Sequence, residues 1–132
     1  MTTIAWDGKE LASDSMVYSD YIEQSPIKKI FKKDGKLFAF AGVYAESIAF
    51  LNEGKKLTDE SQAIEIDLKT GKAKLHEGSG CFDIKPPQAL GSGAPFAMGA
   101  MLAGKSATEA VKIGIKLDPY SGGKVSTHKI TK

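Results

Sequence analysis

Apolar and polar positions alternate along the chain in short paired runs, and each pair is interrupted by a turn dipeptide. The paired runs are Thr2 to Trp6 with Lys9 to Asp14, Ile27 to Lys32 with Lys36 to Gly42, and Ile64 to Lys69 with Ala73 to His76. The interrupting dipeptides are Asp7-Gly8, Asp34-Gly35 and Thr70-Gly71. Aspartate and glycine tolerate the backbone geometry of tight turns, and alternation is typical of strands with one buried face. The pattern predicts three β-hairpins.

Three segments have the spacing of helices instead. Tyr44 to Asn52 has apolar residues three and four apart, and Gly54 is placed to end a helix there. Ala94 to Ala103 is rich in alanine and methionine and stops before Gly104. Ser106-Ala107-Thr108-Glu109 matches a capping box, so a further helix begins there.

The end of the chain predicts one more strand. The third helix should finish near Asp118, because Pro119 disfavours helical geometry at the residue before it. Val125 to Ile130 is then predicted to form the last strand, and Lys85-Pro86-Pro87 a stiff loop. Hairpins mixed with helices in this order indicate an α+β layered domain with helices on the sheet faces. A chain of 132 residues with 42% hydrophobic content is expected to form a single domain, 1–132.

Composition and charge exclude several function classes. The formal charge is +2, from 18 basic and 16 acidic residues, so a nucleic-acid partner has little support. The lysines at 28, 29, 32 and 33 form the one basic cluster, which an ordinary solvated strand edge would explain. Apolar runs fall short of the ~18 residues that cross a bilayer, so no membrane partner is expected.

The amino-terminal segment and the cysteine content suggest where the protein acts. Cys81 is the one cysteine and cannot form an internal disulfide, which suits a reducing compartment. Met1 to Asp7 does not resemble a signal peptide. A cytoplasmic protein is therefore expected. His76 and His128 lie on predicted strands without a metal-like partner, so neither a metal nor a cofactor is expected.

Candidate chemistry lies at the amino terminus, in Met1-Thr2-Thr3. If Met1 is removed, Thr2 carries a hydroxyl and a free α-amine on one residue. The hydroxyl is a weak nucleophile, whereas an α-amine titrates near pH ~7.7 to 8.0 and can take its proton. With Met1 attached, Thr2 has an amide nitrogen and this base does not exist. The terminus therefore predicts a nucleophile that depends on cleavage of one bond.

Several short motifs occur in an order that resembles one known family. They are Thr2-Thr3-Ile4, Ala12-Ser13-Asp14-Ser15, Ile27-Lys28-Lys29-Ile30, Phe40-Ala41-Gly42, Gly91-Ser92-Gly93 and Asp118-Pro119-Tyr120-Ser121-Gly122-Gly123. Together they span nearly the whole chain and resemble the proteasome β-subunit and HslV peptidase family. The resemblance implies a four-layer αββα sandwich of the N-terminal nucleophile hydrolase type. Each motif by itself is weak, and the order and spacing of all of them carry the resemblance.

The resemblance implies a role for each residue that matches a family motif. The implied catalytic set is Thr2, Asp14, Lys29, Gly42, Ser92, Asp118 and Ser121. Thr2 would be the nucleophile, Lys29 the cation beside it, and Asp14 the partner of that cation. Gly42 would present its backbone amide to the oxyanion. Ser92, Asp118 and Ser121 would hold the α-amine in place. Taken singly, each has an ordinary structural explanation, and Lys28 competes with Lys29 for the matching position.

Departures from the family pattern concern assembly and specificity. The segment from Gly42 to Ser92 is short, leaving room after the first helix for the third hairpin and a loop, so one helix of the family's pair is expected to be missing. Val43 replaces a second family glycine, and the pocket is expected near Phe40 and Tyr44. The resemblance implies a homo-oligomeric ring that cleaves unfolded polypeptides, and allows a separate ATPase unfoldase as partner.

Three functions remain open from the sequence. The first is a threonine-type peptidase that uses Thr2 after removal of Met1. The second is a catalytically inactive assembly or binding subunit with the same fold. The third is an amidohydrolase of the same mechanistic class that acts on a small amide.

Overall fold

Two stacked antiparallel sheets form the centre of the protein. The computed structural model describes residues 2–19, 22–24 and 26–130. The strands in chain order are β1 (Ile4–Trp6), β2 (Glu10–Ser13), β3 (Val17–Ser19), β4 (Ile22–Gln24), β5 (Ile30–Lys33), β6 (Lys36–Ala41), β7 (Gln62–Asp67), β8 (Ala73–Glu77), β9 (Gly80–Ile84), β10 (Gln88–Leu90) and β11 (Ser126–Lys129). One sheet has the order β10-β1-β2-β11 and the other β5-β6-β7-β8-β9, while β3 and β4 pair only with each other in the described part of the chain.

Three helices cover the outer faces of the two sheets. They are α1 (Tyr44–Glu53), α2 (Ala94–Leu102) and α3 (Ala107–Leu117). Helices α2 and α3 pack on the four-stranded sheet through small residues such as Ala97 and Ala110. Helix α1 packs on the five-stranded sheet through Phe50, beside Phe40. The layers are therefore helix, sheet, sheet, helix, and the predicted αββα sandwich with a reduced helix layer is confirmed.

The main apolar core lies between the two sheets. Side chains alternate along each strand, so that Ile4, Trp6 and Leu11 face this core while Ala5 and Ala12 face the helices. Ile64 and Ile66 enter it from the opposite sheet and are fully buried. The period of two in the sequence thus separates an inter-sheet core from the two helix-covered layers.

Local turn and cap chemistry fixes the predicted elements. The three predicted hairpins are present as β1-β2, β5-β6 and β7-β8. Asp34 and Gly35 have φ of 52° and 75°, as a tight hairpin turn requires. Ser106 and Glu109 form the predicted capping box at the start of α3, and Asp118 is its C-terminal cap. Gly54 ends α1 in the left-handed conformation, with φ of 68°.

The prediction was wrong between the third hairpin and Ser92, where it allowed only a loop. Strand β9 extends the five-stranded sheet beside β8, and β10 pairs with β1 in the other sheet. The proline-containing segment predicted as a loop carries the chain between the two sheets. The β3-β4 pair was also not predicted. These strands are three to five residues long, too short for a clear period of two, so local periodicity is a weak signal for them. Of these four described strands, only β10 pairs with a strand distant in the sequence.

Strand register brings distant segments together at the start of β1. Ile4 pairs with Ser13 on one side and with Leu90 on the other. The residues just before Ile4 therefore lie beside Asp14 and beside the Gly91-Ser92-Gly93 turn. This corner of the sandwich holds the candidate site.

Candidate active site

The hydroxyl of Thr2 lies at the end of a hydrogen-bonded chain of buried polar groups. Lys29 Nζ donates to Thr2 Oγ1 at 3.0 Å and to Asp14 Oδ1 at 2.8 Å. Thr2, Lys29 and Asp14 are 6%, 2% and 0% exposed. The structure thus brings together three residues that the resemblance had placed in one site.

Backbone donors complete the surroundings of Asp14. Its Oδ1 also accepts from Thr3 N at 3.1 Å, and its Oδ2 accepts from Gly122 N at 3.1 Å. These backbone donors satisfy both oxygens of a fully buried side chain and fix its orientation. Asp14 in turn holds Lys29 Nζ beside the Thr2 hydroxyl.

Burial is the main influence on Lys29. Removal from water lowers the pKa of Lys29 below its ordinary value, and the ion pair with Asp14 opposes part of this shift. Lys28, the competing residue in the sequence, is exposed, and its Nζ lies 5.2 Å from the centre of the Phe31 ring. The two neighbouring lysines therefore occupy different environments, and Lys29 is the one at the site.

A second polar group surrounds the backbone nitrogen of Thr2. Thr2 N donates to Ser92 Oγ at 3.1 Å, and Ser92 Oγ donates to Asp118 Oδ2 at 2.5 Å. Ser121 Oγ donates to the same carboxylate oxygen at 2.6 Å. Asp118 therefore connects two serine hydroxyls that lie 29 positions apart in the sequence. Of the three residues that the resemblance assigns as support for the α-amine, Ser92 contacts this nitrogen, and Asp118 and Ser121 are connected to it through Ser92.

Two opposing influences act on Asp118. Burial raises the pKa of its carboxyl group, but hydrogen bonds from Ser121 and Ser92 outweigh burial, and the pKa lies below its ordinary value. Asp118 is therefore a stable acceptor at neutral pH. It anchors the hydroxyl that contacts Thr2 N.

A cleft of about 190 Å³ opens beside Thr2. Its lining comprises Thr2, Ala41, Gly42, Glu60, Gln62, Gly91 and Ser92. Gly42 has φ of 116°, and a side chain there would collide with the backbone of Glu60 and Ser61. Only glycine suits this position, which places backbone rather than a side chain at the wall facing Thr2.

Phe40 and Tyr44, the residues predicted to form the substrate pocket, are not themselves part of the cleft lining. Phe40 is 4% exposed and packs against Phe38 and Phe50 in the layer below α1. Tyr44 begins α1 and is 37% exposed. Ala41 and Gly42, which lie between them in the sequence, do line the cleft, and substrate binding by Phe40 and Tyr44 stays a prediction.

Sequence reasoning did not identify several residues that shape the site. Thr3 is fully buried, and its hydroxyl lies 2.8 Å from Ser121 Oγ. A side chain on Gly91 would collide with Thr2, and one on Gly93 would collide with Thr3. The Gly91-Ser92-Gly93 motif therefore needs its glycines for close backbone approach. The repeated pattern of glycine around a single serine was the available signal.

Other ionisable groups do not form a second centre in the described part of the chain. His76 Nε2 lies 3.0 Å from Glu65 Oε1 on the sheet face below α1. No group of three or more histidine, cysteine, aspartate or glutamate side chains among the described residues could hold a metal ion.

Within residues 2–19, 22–24 and 26–130, no helix has the length and apolar character needed to cross a membrane. Met1, on which the amine depends, lies outside the described residues.

Comparison with solved structures shows the fold clearly. Thiobacillus denitrificans BPH in complex with epoxomicin matches with a TM-score of 0.74 at 14% identity, over 99% of each chain. A second structure of Thiobacillus denitrificans BPH matches with a TM-score of 0.73 at 14% identity, over 98% of each chain. Eukaryotic HslV from Trypanosoma brucei matches with a TM-score of 0.71 at 19% identity, also over 98% of each chain.

The chain has the fold of these three structures, which include an HslV. No family model and no curated protein sequence matches the chain. The likeness, at 14 to 19% identity, is therefore one of architecture.

Proposed function

We propose that the protein is a threonine-type peptidase whose nucleophile is Thr2, exposed by removal of Met1. The observation that carries the proposal is the 3.0 Å hydrogen bond from Lys29 Nζ to Thr2 Oγ1, within a buried chain that ends at Asp14. A purely structural threonine does not require a buried ammonium beside its hydroxyl, since burying a charge is costly. A nucleophile benefits from that cation because it favours loss of the hydroxyl proton.

Acylation would proceed from the cleft side of Thr2. The Thr2 hydroxyl oxygen attacks the carbonyl carbon of a peptide bond, and its proton passes to the α-amine of the same residue. The carbonyl oxygen becomes an oxyanion, which the backbone N–H of Gly42 stabilises across the cleft. Collapse of this intermediate breaks the C–N bond, and the proton held by the amine leaves with the new amino terminus of the product.

Deacylation reverses the same proton movements. The neutral α-amine takes a proton from a water molecule, whose oxygen attacks the ester that joins Thr2 to the acyl fragment. The ester bond breaks, the proton returns to the Thr2 oxygen, and the product leaves with a new carboxyl terminus. Ser92, held by Asp118, keeps the amine aligned through both steps.

Unfolded polypeptides are the proposed substrates, as the family resemblance implies. We infer that the protein assembles as a homo-oligomeric ring. A separate ATPase unfoldase is a possible partner that would deliver unfolded substrates to this ring. The α2-α3 layer supports assembly, because Phe96, Leu102 and Leu117 expose 39%, 70% and 56% of their surface. Such exposed apolar side chains would be covered if this layer packs against a second copy of the chain. Sedimentation should show a multimer, and a stable monomer would favour the small-amide alternative.

Electrophile labelling followed by peptide mass mapping tests the nucleophile. Epoxomicin, the compound present in one Thiobacillus denitrificans BPH structure, is a suitable first probe. Cell-expressed protein should lack Met1 and gain one molecule of probe on Thr2. The Thr2→Ala variant should remain unlabelled, and Thr70→Ala, in the exposed β7-β8 turn, should label like the parent. An intact Met1 with no labelling would instead support the inactive-subunit alternative.

A further inference from the structure

The lining of the cleft beside Thr2 contains one acidic residue. Of the seven described residues that line it, Glu60 is the one with an ionisable side chain. The ammonium of Lys29 contacts Thr2 and is compensated by Asp14 at 2.8 Å. The α-amine that removal of Met1 would expose on Thr2 is neutral when it acts as the base, so the charge that a substrate side chain meets in this lining is that of Glu60.

Close packing fixes the backbone of Glu60 next to Gly42. A side chain at Gly42 would collide with the Glu60 carbonyl oxygen, so the two backbones are in direct contact. The following residue, Ser61, is 1% exposed, and its hydroxyl accepts from Val43 N at 3.1 Å. The backbone of Glu60 is thus held at the wall of the cleft by its contact with Gly42 and by the hydrogen bond of the next residue, Ser61. The Glu60 side chain itself is exposed.

The loop before Glu60 is also held in place. Glu46, in the first turn of α1, accepts hydrogen bonds at 2.9 Å from both the backbone nitrogen and the hydroxyl of Thr58. This ties the loop to α1, and Glu60 N lies 3.4 Å from Thr58 Oγ1. The anchored backbone fixes where the Glu60 side chain begins relative to the nucleophile, and the exposed side chain can adjust to a bound substrate.

The geometry points to Glu60 as a specificity-determining residue that selects substrates with a cationic side chain, lysine or arginine, next to the scissile bond. The inference rests on the proposed function and deepens it. Thr2, Gly42 and Glu60 all line the cleft. The substrate residue that carries the attacked carbonyl would therefore lie in the same cleft as Glu60. A carboxylate favours a cationic neighbour and disfavours an anionic one.

The expected effect is moderate because Glu60 is exposed. Exposed ion pairs change an equilibrium by roughly two- to fivefold and are screened by salt. A lysine side chain should therefore be preferred about fivefold over an uncharged side chain of equal length. The preference should appear in KM, because the pair forms in the bound ground state and in the transition state alike.

Matched fluorogenic peptides test this inference on the processed enzyme. One peptide carries lysine before the fluorophore and the other carries norleucine, which has a similar chain without the charge. With the parent protein, kcat/KM should be about fivefold higher for the lysine peptide, and raising the salt concentration should reduce the ratio. The Glu60→Gln variant should bring the ratio close to one, and Glu60→Lys should favour a glutamate peptide.

The neighbouring Asp59→Asn variant is the control, because the Asp59 carboxylate lies against Gly78 and outside the lining of the cleft. It should keep the lysine preference. Hydrolysis of both peptides with the same ratio in the parent and in Glu60→Gln would overturn the inference while leaving the peptidase proposal intact. Absence of all hydrolysis, together with an unlabelled Thr2, would overturn the proposed function and with it this inference.

Discussion

Two buried regions meet at the start of β1, and they are held together by different forces. The inter-sheet core is apolar, with Ile4, Leu11 and Ile64 fully buried. The polar cluster beside it buries Asp14 and Lys29 to 0% and 2% exposure. Apolar burial is non-directional and favourable throughout, whereas a buried ion pair must offset a large desolvation penalty with well-placed partners.

The apolar core should therefore mainly determine the stability of the fold, and the polar cluster mainly the reactivity of Thr2. A core residue contributes through area and shape, so its replacement should weaken folding without changing the position of the Thr2 hydroxyl. A residue of the polar cluster contributes direction and charge at that hydroxyl. Removing both charges of the cluster should therefore be tolerated better by the fold than by the reaction.

The strongest test of this contrast is Lys29→Met. Loss of the cation beside Thr2 should reduce peptide hydrolysis by about 10²- to 10⁴-fold. The variant should also lose about 3 to 5 kcal/mol of stability, because removal of one partner of a buried ion pair leaves the other, Asp14, without its counterion. Peptide assays and denaturant unfolding measure the two effects separately.

Two further variants complete this test. Lys29→Met combined with Asp14→Asn removes both charges and should be more stable than Lys29→Met alone while remaining equally inactive. Lys28→Met, at the exposed neighbouring lysine, should change neither quantity. Near-normal hydrolysis by Lys29→Met would show that the cation has no catalytic role.

Ile64→Ala tests the opposite side of the contrast. Ile64 is fully buried between the sheets, and truncation should cost about 2 to 5 kcal/mol of unfolding free energy. Hydrolysis per folded molecule should stay within about twofold of the parent, since the polar cluster keeps its contacts. Ile64→Val, as a milder control, should cost about 0.5 to 1.5 kcal/mol. Loss of activity in folded Ile64→Ala would mean that the core also sets the geometry of the site.

The two regions should also respond differently to pH. Hydrolysis should rise with pH as the α-amine loses its proton near pH ~7.7 to 8.0. It should fall again at higher pH, when Lys29 loses its proton. Because burial lowers the pKa of Lys29, this fall should begin below the ordinary value of 10.5. In the window between the lowered pKa and 10.5, the unfolded chain binds more protons at this residue. The Lys29 contribution to stability therefore increases with pH while activity falls.

Lys29→Arg checks this assignment, because a guanidinium stays charged throughout the range. Any activity that the variant retains should lack the alkaline decline. The Lys28→Arg control should show the parent profile. An unchanged alkaline limb in an active Lys29→Arg variant would assign that limb to another group.

Ser106→Ala should have the smallest effect. Ser106 caps α3 and accepts from Glu109 N at 3.2 Å, in a box on the outer helix layer. Its loss should cost about 1 kcal/mol of stability. Hydrolysis should not change, and Ser106→Asp, which preserves the cap, should restore stability. A marked loss of hydrolysis would show that α3 transmits strain to Asp118.

Elements with a strong local signal could be predicted from the sequence, and very short strands could not. The turn at Asp34-Gly35 and the cap at Ser106 each act within a few residues, and both are where the sequence indicates. Strand β10 has only three residues, and its Leu90 pairs with Ile4 from the far end of the chain. No periodicity can develop over three residues, so this strand was predicted as loop.

The candidate site shows the same division. The nucleophile could be proposed from the chemistry of Thr2 alone, while Asp14, Lys29 and the supporting residues came from the family resemblance. The hydrogen bond between Thr2 N and Ser92 joins residues 90 positions apart, which spacing alone cannot indicate. Glu60 was not identified because its position depends on close approach to Gly42, a contact made by tertiary packing.

Peptide hydrolysis by two forms of the same chain tests most directly whether the Thr2 amine is the base. One form begins at Thr2, after a removable leader has been cleaved off, and the other retains Met1. The form that begins at Thr2 should hydrolyse an unfolded polypeptide, and the form with Met1 should be inactive. Equal hydrolysis by both forms, or none by either, would contradict the assignment of Thr2 and its amine as nucleophile and base.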